Sequence, residues 1–475
     1  MRPLNQALVL GAVIAVLTGT TISYAHAQEI EKPNVVFMMM DNLGWGEIGT
    51  YGGGILRGAP TPRLDTLAEE GMKLLNFNVE NQCTPSRSAL MTGRHPIRSG
   101  TTRVVWGQLY GMVGWEKTMA ELMSDAGYAT GMFGKWHLGD TPGRFPTDQG
   151  FDEWFGVANT TDESMYRDQF KFDGEASIEA FIQEATRGVT PKTVMPYTVE
   201  ARRGIDGELN ARAIRFMEQQ VAAGKPFFAY IPYTQPHVPT LPHKNFDGKT
   251  GNGSYADVIA EIDHRAGEIL DAIDRLKIRD NTIVVWTSDN GPEAAVGWQG
   301  TAGFWRGSYF TALEGSLRTS FLIRWPGKIQ SGSVSNEIVH ITDILPTLAR
   351  VAGYKVPDDR EIDGIDQLDF FLGKQKKSNR EGFPIYLGDE LSAYKWRDWK
   401  VHFTYLDSMF GTLQPQNFPR VHNLIKDPKE LYPDRTGETT WVLPAVSKLI
   451  TKFSRTLAKE PPIRLGTPDP YRPLN

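Results

Sequence analysis

The sequence predicts an α/β protein with a large, mainly parallel sheet sandwiched by helices, followed by a small C-terminal α+β domain with an antiparallel sheet. Strand-like apolar runs alternate with amphipathic helices up to residue 352, and short strand-like segments follow one another closely after residue 384. Alternating strands and helices are typical of βαβ units, whereas closely spaced strands are typical of antiparallel sheets. We therefore expect an N-terminal domain over residues 28–374 and a second domain over 375–475.

The larger domain is predicted to open with a strand over 34–40, a continuous apolar run typical of a strand buried on both faces. Thr61-Pro62 then forms an N-cap with proline at the first helical position, and the helix continues through Met72. The later elements are a helix over 118–126, a strand over 128–133, a helix over 208–223, a strand over 227–231, a helix over 255–276, strands over 282–286 and 321–323, and a helix over 341–352.

The smaller domain is predicted after a polar, charged stretch over 374–379, which is typical of a linker. Its expected elements are strands over 384–387, 393–396 and 399–403, and a helix over 441–457.

Composition excludes several function classes. The chain has 475 residues, of which 40% are hydrophobic, and 51 basic against 56 acidic residues give a net charge of −5. Such a chain can bury a large core, and it lacks the basic surface that nucleic-acid binding requires. Cys83 is the only cysteine, so no intrachain disulfide can form.

Residues 1–27 have the pattern of a signal peptide. Arg2 precedes an apolar run over 7–17, and Ala25-His26-Ala27 matches a small-x-small cleavage site. A membrane anchor is the alternative, but the run is shorter than the ~20 residues that a spanning helix needs. We therefore expect a bacterial protein that is exported to the periplasm or secreted, without stable membrane insertion.

Four of the predicted strands are followed by polar groups that could do chemistry. These groups are Asp41-Asn42, Lys135 with His137, His237, and Asp289-Asn290. Ligands of open α/β sheets bind at the carboxyl ends of the strands, so the four sets should converge. Each Asp-Asn pair taken alone could be a simple turn.

The two Asp-Asn pairs offer only oxygen ligands. Hard oxygen donors suit Ca²⁺ or Mg²⁺ rather than zinc or copper. The sequence therefore predicts one divalent cation, with calcium as the expected ion and magnesium as the alternative.

Cys83 lies at the predicted start of a helix, because Pro85 suits an early helical position. A helix N-terminus favours an anion, and Arg87, one turn further on, can reach the same face. A thiolate nucleophile is one interpretation, although the neighbouring sequence offers it no base.

The segment Cys83-x-Pro85-x-Arg87, followed by Thr92-Gly93-Arg94, resembles the signature of the type I, formylglycine-dependent sulfatases of the alkaline phosphatase superfamily. The resemblance is closest to bacterial arylsulfatases and covers about residues 32–435. Further motifs in family order are Asp41-Asn42-x-Gly44, the segments 134–139 and 150–152, Pro236-His237-x-Pro239, Ser288-Asp289-Asn290-Gly291, Glu314-Gly315, and the segments 325–327 and 342–347. The resemblance implies an alkaline phosphatase-like fold.

The resemblance also implies the catalytic roles. A formylglycine-generating maturation enzyme would convert Cys83 to 3-oxoalanine, whose hydrate is the nucleophile. Arg87 would orient the hydrate and His137 would assist its collapse. Lys135 would bind the sulfate, and His237 would bind the substrate and protonate the leaving alcohol. The implied metal ligands are Asp41, Asn42, Asp289, Asn290 and the modified Cys83.

Two positions depart from the family pattern. Many members have a second aspartate where this chain has Asn42, and a lysine where it has Tyr309. Tyr309 could still donate a hydrogen bond to the substrate, and Arg318 or Arg306 could supply the missing positive charge.

The sequence thus predicts an exported, arylsulfatase-type sulfatase that hydrolyses small-molecule sulfate monoesters. Two alternatives remain open at this point. One is a phosphonate monoester or phosphodiester hydrolase with the same nucleophile, and the other is a catalytically silent binding protein.

Overall fold

The computed structural model describes residues 32–473 except 106, 108–110, 295, 296, 298, 435 and 436. The predicted signal peptide lies outside these residues. The strands are β1 (Asn34–Asp41), β2 (Met72–Asn78), β3 (Ala129–Lys135), β4 (Glu153–Val157), β5 (Phe181–Thr186), β6 (Lys192–Pro196), β7 (Phe227–Pro236), β8 (Thr282–Ser288), β9 (Arg318–Arg324), β10 (Ser333–Ser335), β11 (Val339–His340), β12 (Gly382–Leu387), β13 (Glu390–Trp396), β14 (Trp399–Tyr405) and β15 (Gln414–Asn423).

The α-helices alternate with the strands in the first three quarters of the chain. They are α1 (Pro62–Glu70), α2 (Cys83–Thr92), α3 (Pro96–Ser99), α4 (Met119–Asp125), α5 (Val199–Ala222), α6 (Ser254–Arg275), α7 (Glu314–Leu317), α8 (Ile344–Val351), α9 (Leu368–Phe371) and α10 (Val442–Lys459).

The large sheet has β1 at its centre. Its strand order is β10-β2-β9-β8-β1-β7-β3-β4-β5-β6, with β11 also paired to β2. The strands β8, β1, β7, β3 and β4 run parallel, while β9, β5 and β6 are antiparallel to their neighbours. The predicted mainly parallel sheet is therefore confirmed, and its parallel part holds the strand ends that carry the polar motifs.

The sheet is buried on both faces. Val35 and Phe37 pack into one apolar core, while Val36 and Met38 pack into the other. Successive side chains of a strand point to opposite faces, so a strand between two helical layers is apolar throughout. This explains the continuous apolar run from which the first strand was predicted.

The small sheet is antiparallel, with the order β12-β13-β14-β15. Helix α10 packs against it through Val442 and Val446, which contact Val401 and Val421. The predicted antiparallel C-terminal sheet and helix are therefore confirmed, whereas the boundary at residue 375 stays a prediction. Strand β15 escaped prediction because only two of its ten residues are buried and it contains two prolines.

Two predicted helix boundaries were wrong. Met72 is the first residue of β2, because the first helix ends at Glu70 and Gly71 follows in an extended conformation. Helix α5 begins at Val199, well before residue 208, and the Thr198 side chain caps it by accepting a hydrogen bond from the Ala201 N–H. The glycines and charged residues in its first turns hide the helical periodicity.

Within the part of the chain that the structure describes, no helix combines the length and the apolar character needed to cross a bilayer.

Candidate active site

The polar residues that were predicted to converge do meet at one edge of the large sheet. Asp41 ends β1 and Lys135 ends β3, while His237 and Asp289 directly follow β7 and β8. These four strands are neighbours in the parallel part of the sheet. Their side chains are buried, so the charges interact with little screening by water.

Cys83 is the first residue of α2, as predicted, and it faces this edge. Its Sγ lies 3.6 Å from Asp41 Oδ1 and 3.6 Å from Asn42 Oδ1. Potential ligand atoms of Asp41, Cys83 and His237 all lie within 4.8 Å of one another. The cysteine therefore stands between the first Asp-Asn pair and His237.

Two buried ion pairs frame the cysteine. Lys135 Nζ donates to Asp41 Oδ1 at 3.0 Å and to Oδ2 at 2.8 Å. Arg87 donates to Asp289 Oδ2 through Nε at 3.0 Å and Nη2 at 2.8 Å, and through Nη1 to the Lys135 carbonyl at 2.8 Å. Thr161 Oγ1 donates to Asp41 Oδ2 at 2.8 Å. The carboxylates and cations are thus fixed relative to one another.

The two aspartates have different environments. Burial alone would raise the pKa of Asp41, but Lys135, His237 and Arg87 hold this pKa well below its usual value. Burial also raises the pKa of Asp289, and there the opposing effect of Arg87 is smaller. Asp41 is therefore the more firmly ionised of the two.

His137 is held as a neutral imidazole. Burial, together with the charges of Lys135 and Arg87, lowers its pKa well below the usual value. Its Nε2–H donates to the Val105 carbonyl at 3.1 Å, and Nδ1 is buried without a hydrogen-bond partner among the described residues. A neutral ring whose Nδ1 carries no proton can accept one.

The thiol of Cys83 is poorly suited to act directly. Burial raises the pKa of Cys83 well above its usual value, and Asp289 and Asp41 add to the increase although Lys135 opposes it. An unmodified cysteine here would stay a thiol at neutral pH, and the thiolate is the nucleophilic form.

The predicted metal ligands form one connected group that fits a hard cation. The Asn42 N–H donates to Asp289 Oδ1 at 3.0 Å, and Asn290 Nδ2 donates to Asn42 Oδ1 at 2.7 Å. Asn290 Oδ1 is buried and has no hydrogen-bond partner in the described part of the chain. Such an orphaned oxygen beside two carboxylates is what a divalent ion would satisfy.

His237 is held by hydrogen bonds to its ring and to its backbone carbonyl. Its Nδ1 lies 2.8 Å from the Val238 carbonyl, which can only accept, so Nδ1 carries the proton and Nε2 is the nitrogen left for substrate. The buried Arg202 donates through Nη2 to the His237 carbonyl at 3.2 Å and to Gln235 Oε1 at 2.8 Å.

Tyr309 and Arg318 each lie beside a buried acid, and their predicted substrate contacts stay predictions. Tyr309 is buried, and burial, followed by the charge of Glu293, raises its pKa. Arg318 pairs with Glu314 and stacks on Trp305, 3.8 Å from the ring centroid. Arg318 is thus paired with Glu314, and its sulfate-binding role stays a prediction, while Arg306 donates to the Tyr405 hydroxyl.

Several residues of the site were missed from the sequence. They are Thr161, Glu163, Arg202 and Glu293, all buried. Burial and the nearby Asp162 and Asp140 raise the pKa of Glu163 to about 8, and Lys135 opposes this increase. None of these four residues belongs to a motif that was recognised in the sequence. The one signal that could have pointed to Glu293 is its position two residues after the Asp289-Asn290-Gly291 motif.

A second buried group, Glu80, His95 and His340, also brings three potential ligand atoms within 4.8 Å. His95 Nδ1 lies 2.9 Å from Glu80 Oε1, and His340 Nδ1 accepts the Thr342 N–H at 3.3 Å. The neutral His340 ring then carries its proton on Nε2, which faces Glu80 at 3.8 Å. Glu80 and His95 are thus hydrogen-bonded to each other, whereas His340 Nε2 has no hydrogen-bond partner among the described residues.

Comparison with known proteins agrees with this geometry. The family model named Sulfatase matches residues 33–354. The chain belongs to the sulfatase family. Sulfatases are sulfuric ester hydrolases, so the chain is an enzyme of that class, as the motifs predicted.

Similar sulfatases cover nearly the whole chain. The N-acetylgalactosamine-6-sulfatase of Canis lupus familiaris is 33% identical over 495 residues, covering 95% of this chain and 91% of the relative. Human arylsulfatase A is 32% identical over 470 residues, covering 93% and 90%. The crystal structure of the PsFucS1 sulfatase from Pseudoalteromonas sp. superimposes with a TM-score of 0.86 at 30% identity, covering 91% and 92%. The predicted alkaline phosphatase-like fold is therefore confirmed.

Proposed function

We propose that this sulfatase hydrolyses sulfate monoesters of carbohydrates by means of a formylglycine made from Cys83. The observation that carries the proposal is the position of Cys83, at the start of α2 and 3.6 Å from both Asp41 and Asn42. The raised pKa of the thiol argues against an unmodified cysteine as nucleophile.

The hydrated aldehyde would supply a hydroxyl for attack on sulfur and a second hydroxyl whose collapse releases sulfate without attack by water. Around it, Arg87 holds Asp289 and orients the modified side chain. Lys135 offers its positive charge to the sulfate oxygens. His137 accepts the hydrate proton at Nδ1, which is free of other partners within the described residues. His237, when protonated on both ring nitrogens, donates the Nε2 proton to the leaving alcohol.

Asp41, Asn42, Asp289, Asn290 and the modified residue would hold one divalent cation, with calcium as the expected ion and magnesium as the alternative. When bound, the ion would supply positive charge against a sulfate oxygen. Asn42 in place of a second aspartate removes one negative charge from this ligand set.

The substrate proposal rests on the relatives. The motifs favoured an arylsulfatase-type enzyme, and one relative is named arylsulfatase A. Relatives from mammals and from Bacteroides thetaiotaomicron are named for N-acetylgalactosamine 6-sulfate. We therefore propose a carbohydrate 6-sulfate as the natural type of ester, with aryl sulfates as convenient artificial substrates.

Export and maturation belong to the same proposal. Residues 1–27 would direct the chain to a bacterial periplasm or beyond, and a formylglycine-generating enzyme would modify Cys83. N-terminal sequencing of protein from the native host tests the first point, with a start near Gln28 expected.

The decisive experiment is the mass of the tryptic peptide over residues 74–87, taken from active protein. Formylglycine makes this peptide about 18 Da lighter than the cysteine form. Rates on N-acetylgalactosamine 6-sulfate, an aryl sulfate and the matched aryl phosphonate ester then identify the ester class. An unmodified thiol in active protein contradicts the mechanism, and faster phosphonate turnover favours the alternative hydrolase. A modified but inactive protein would favour the silent binding protein.

A further inference from the structure

The two positions that depart from the family pattern lie near the same buried carboxylate. Asn42 Nδ2 donates to Glu293 Oε2 at 3.2 Å, and burial, followed by the charge of Glu293, raises the pKa of Tyr309. Glu293 is 1% exposed, and its Oε1 accepts the Ala294 N–H at 2.8 Å. One acid therefore links both departures.

Glu293 determines how the Asn42 amide is oriented. An ionised carboxylate only accepts hydrogen bonds, so the NH₂ group of Asn42 must face Glu293. The Asn42 oxygen then points the other way, where it lies 3.6 Å from Cys83 Sγ and accepts Asn290 Nδ2 at 2.7 Å.

The orientation extends to the second asparagine. Asn290 uses Nδ2 for Asn42 Oδ1 and for the Gly291 carbonyl at 2.9 Å. Its own Oδ1 is the buried oxygen that has no hydrogen-bond partner within the described chain. Glu293 thus fixes, through one hydrogen bond after another, which atom each of two candidate metal ligands presents.

Tyr309 lies beside Glu293 and brings no positive charge to the sulfate. Burial, followed by the charge of Glu293, raises the pKa of Tyr309. A tyrosine hydroxyl has one proton and no charge, so Tyr309 cannot replace the positive charge of the family's lysine. A lysine at 309 would pair with Glu293 and cancel its charge, whereas tyrosine does not.

We propose that Glu293 is a positioning residue that supplies, one hydrogen bond away, the negative charge that Asn42 lacks. The proposal rests on the proposed function in one respect, that the group around Asp41 holds a divalent cation. It predicts that cation affinity depends on Glu293, although Glu293 itself need not touch the ion.

The test is a calcium titration of the chelator-treated full chain by calorimetry, which needs no turnover. We expect E293Q to bind calcium about 10–100-fold more weakly, the usual effect of losing a group that orients a metal ligand. The double substitution N42D/E293Q places the carboxylate on residue 42, a candidate metal ligand, and keeps the net charge of the pair. Calcium affinity should therefore recover to within a few-fold of the wild type. E116Q is the matched control, because Glu116 is equally buried but pairs with Arg94.

Wild-type affinity in E293Q, or no recovery in a folded N42D/E293Q protein, would overturn the proposal. An equal loss in E116Q would do the same, since it would mean that any buried acid has this effect. Tyr309→Phe should weaken calcium binding less than E293Q. A wild-type chain that binds no calcium would refute both the cation site and this role of Glu293, whereas an unmodified Cys83 in active protein would refute only the proposed mechanism.

Discussion

Two of the buried clusters of charge among the described residues are built differently. One is the active site, around Asp41 and Asp289. The other, which we call the junction cluster, lies between the two sheets and consists of Glu314, Arg318, Lys395, Lys400, His402 and Glu430. Both contain carboxylates and cations that water does not reach.

In the junction cluster every carboxylate oxygen has a nitrogen partner. Glu314 pairs with Lys395 Nζ through Oε2 and with Lys400 Nζ through Oε1, both at 2.7 Å. Glu430 accepts His402 Nε2 at 2.8 Å on Oε1 and the Glu314 N–H at 2.7 Å on Oε2. Burial alone would raise the pKa of Glu314, but its cationic neighbours hold it well below the usual value.

Unpartnered buried atoms occur in both clusters. Asn290 Oδ1 and His137 Nδ1 in the active site, and Glu314 Oε1 and His402 Nδ1 in the junction cluster, have no hydrogen-bond partner among the described residues. The clusters differ in what surrounds their acids. In the active site Asp41 and Asp289 lie beside the Cys83 thiol and the two asparagines, whereas the junction acids pair directly with lysines of the second sheet. The comparison suggests that ion pairs hold the two sheets together, whereas neutral ligand atoms beside the acids serve chemistry.

The largest effect is expected from Cys83→Ala, which removes the only atom from which the nucleophile can be made. Turnover of any sulfate ester should fall by about 10⁴-fold or more, with thermal stability near that of the wild type. Steady-state rates, together with calorimetric unfolding, check this outcome. Substantial residual turnover would refute the formylglycine mechanism.

Loss of the general acid should come next and should depend on the leaving group. For His237→Ala we expect a loss of about 10²–10⁴-fold on sugar sulfates, whose alkoxide needs a proton. The loss on 4-nitrophenyl sulfate should be much smaller, because that phenolate leaves unprotonated. Rates across a series of phenyl sulfates measure the dependence, and an equal loss throughout the series would rule out the acid role.

Lys400→Met breaks the junction cluster instead of the active site. It leaves Glu314 and Glu430 partly uncompensated, and removing one partner of a buried ion pair costs about 3–5 kcal/mol. Denaturant unfolding should show this loss, while kcat of the remaining folded protein changes little. Lys374→Met, at an exposed pair with Asp369, is the control and should leave the unfolding free energy nearly unchanged.

The smallest effect concerns Glu163. Its pKa of about 8 keeps it neutral at pH 7, and ionisation above pH 8 would place a negative charge near Lys135. KM for a sulfate ester should therefore rise several-fold as pH increases through 8, and Glu163→Gln should lack this rise. A pH profile of KM for the wild type and the variant tests this prediction. The same rise in the variant would assign the pH dependence to another group.

The sequence predicted those features of the active site that local patterns encode. Apolar runs followed by Asp41, Lys135 and Asp289 identified strand ends that converge, and Pro85 indicated the helix that begins at Cys83. The Asn42–Glu293 contact joins residues far apart in the chain and depends on a side-chain orientation, which no spacing reveals. The position of Arg318 depends in the same way on Glu314 and the ring of Trp305.

The junction cluster also has a consequence for the order of events during synthesis. Glu314 lies just after the segment that carries Glu293 and Tyr309, and its counter-charges Lys395 and Lys400 are added about 80 residues later. A nascent chain that ends before them would leave the acid without these two cations. Glu314 therefore gains these two ion pairs only after residues 395–400 have left the ribosome.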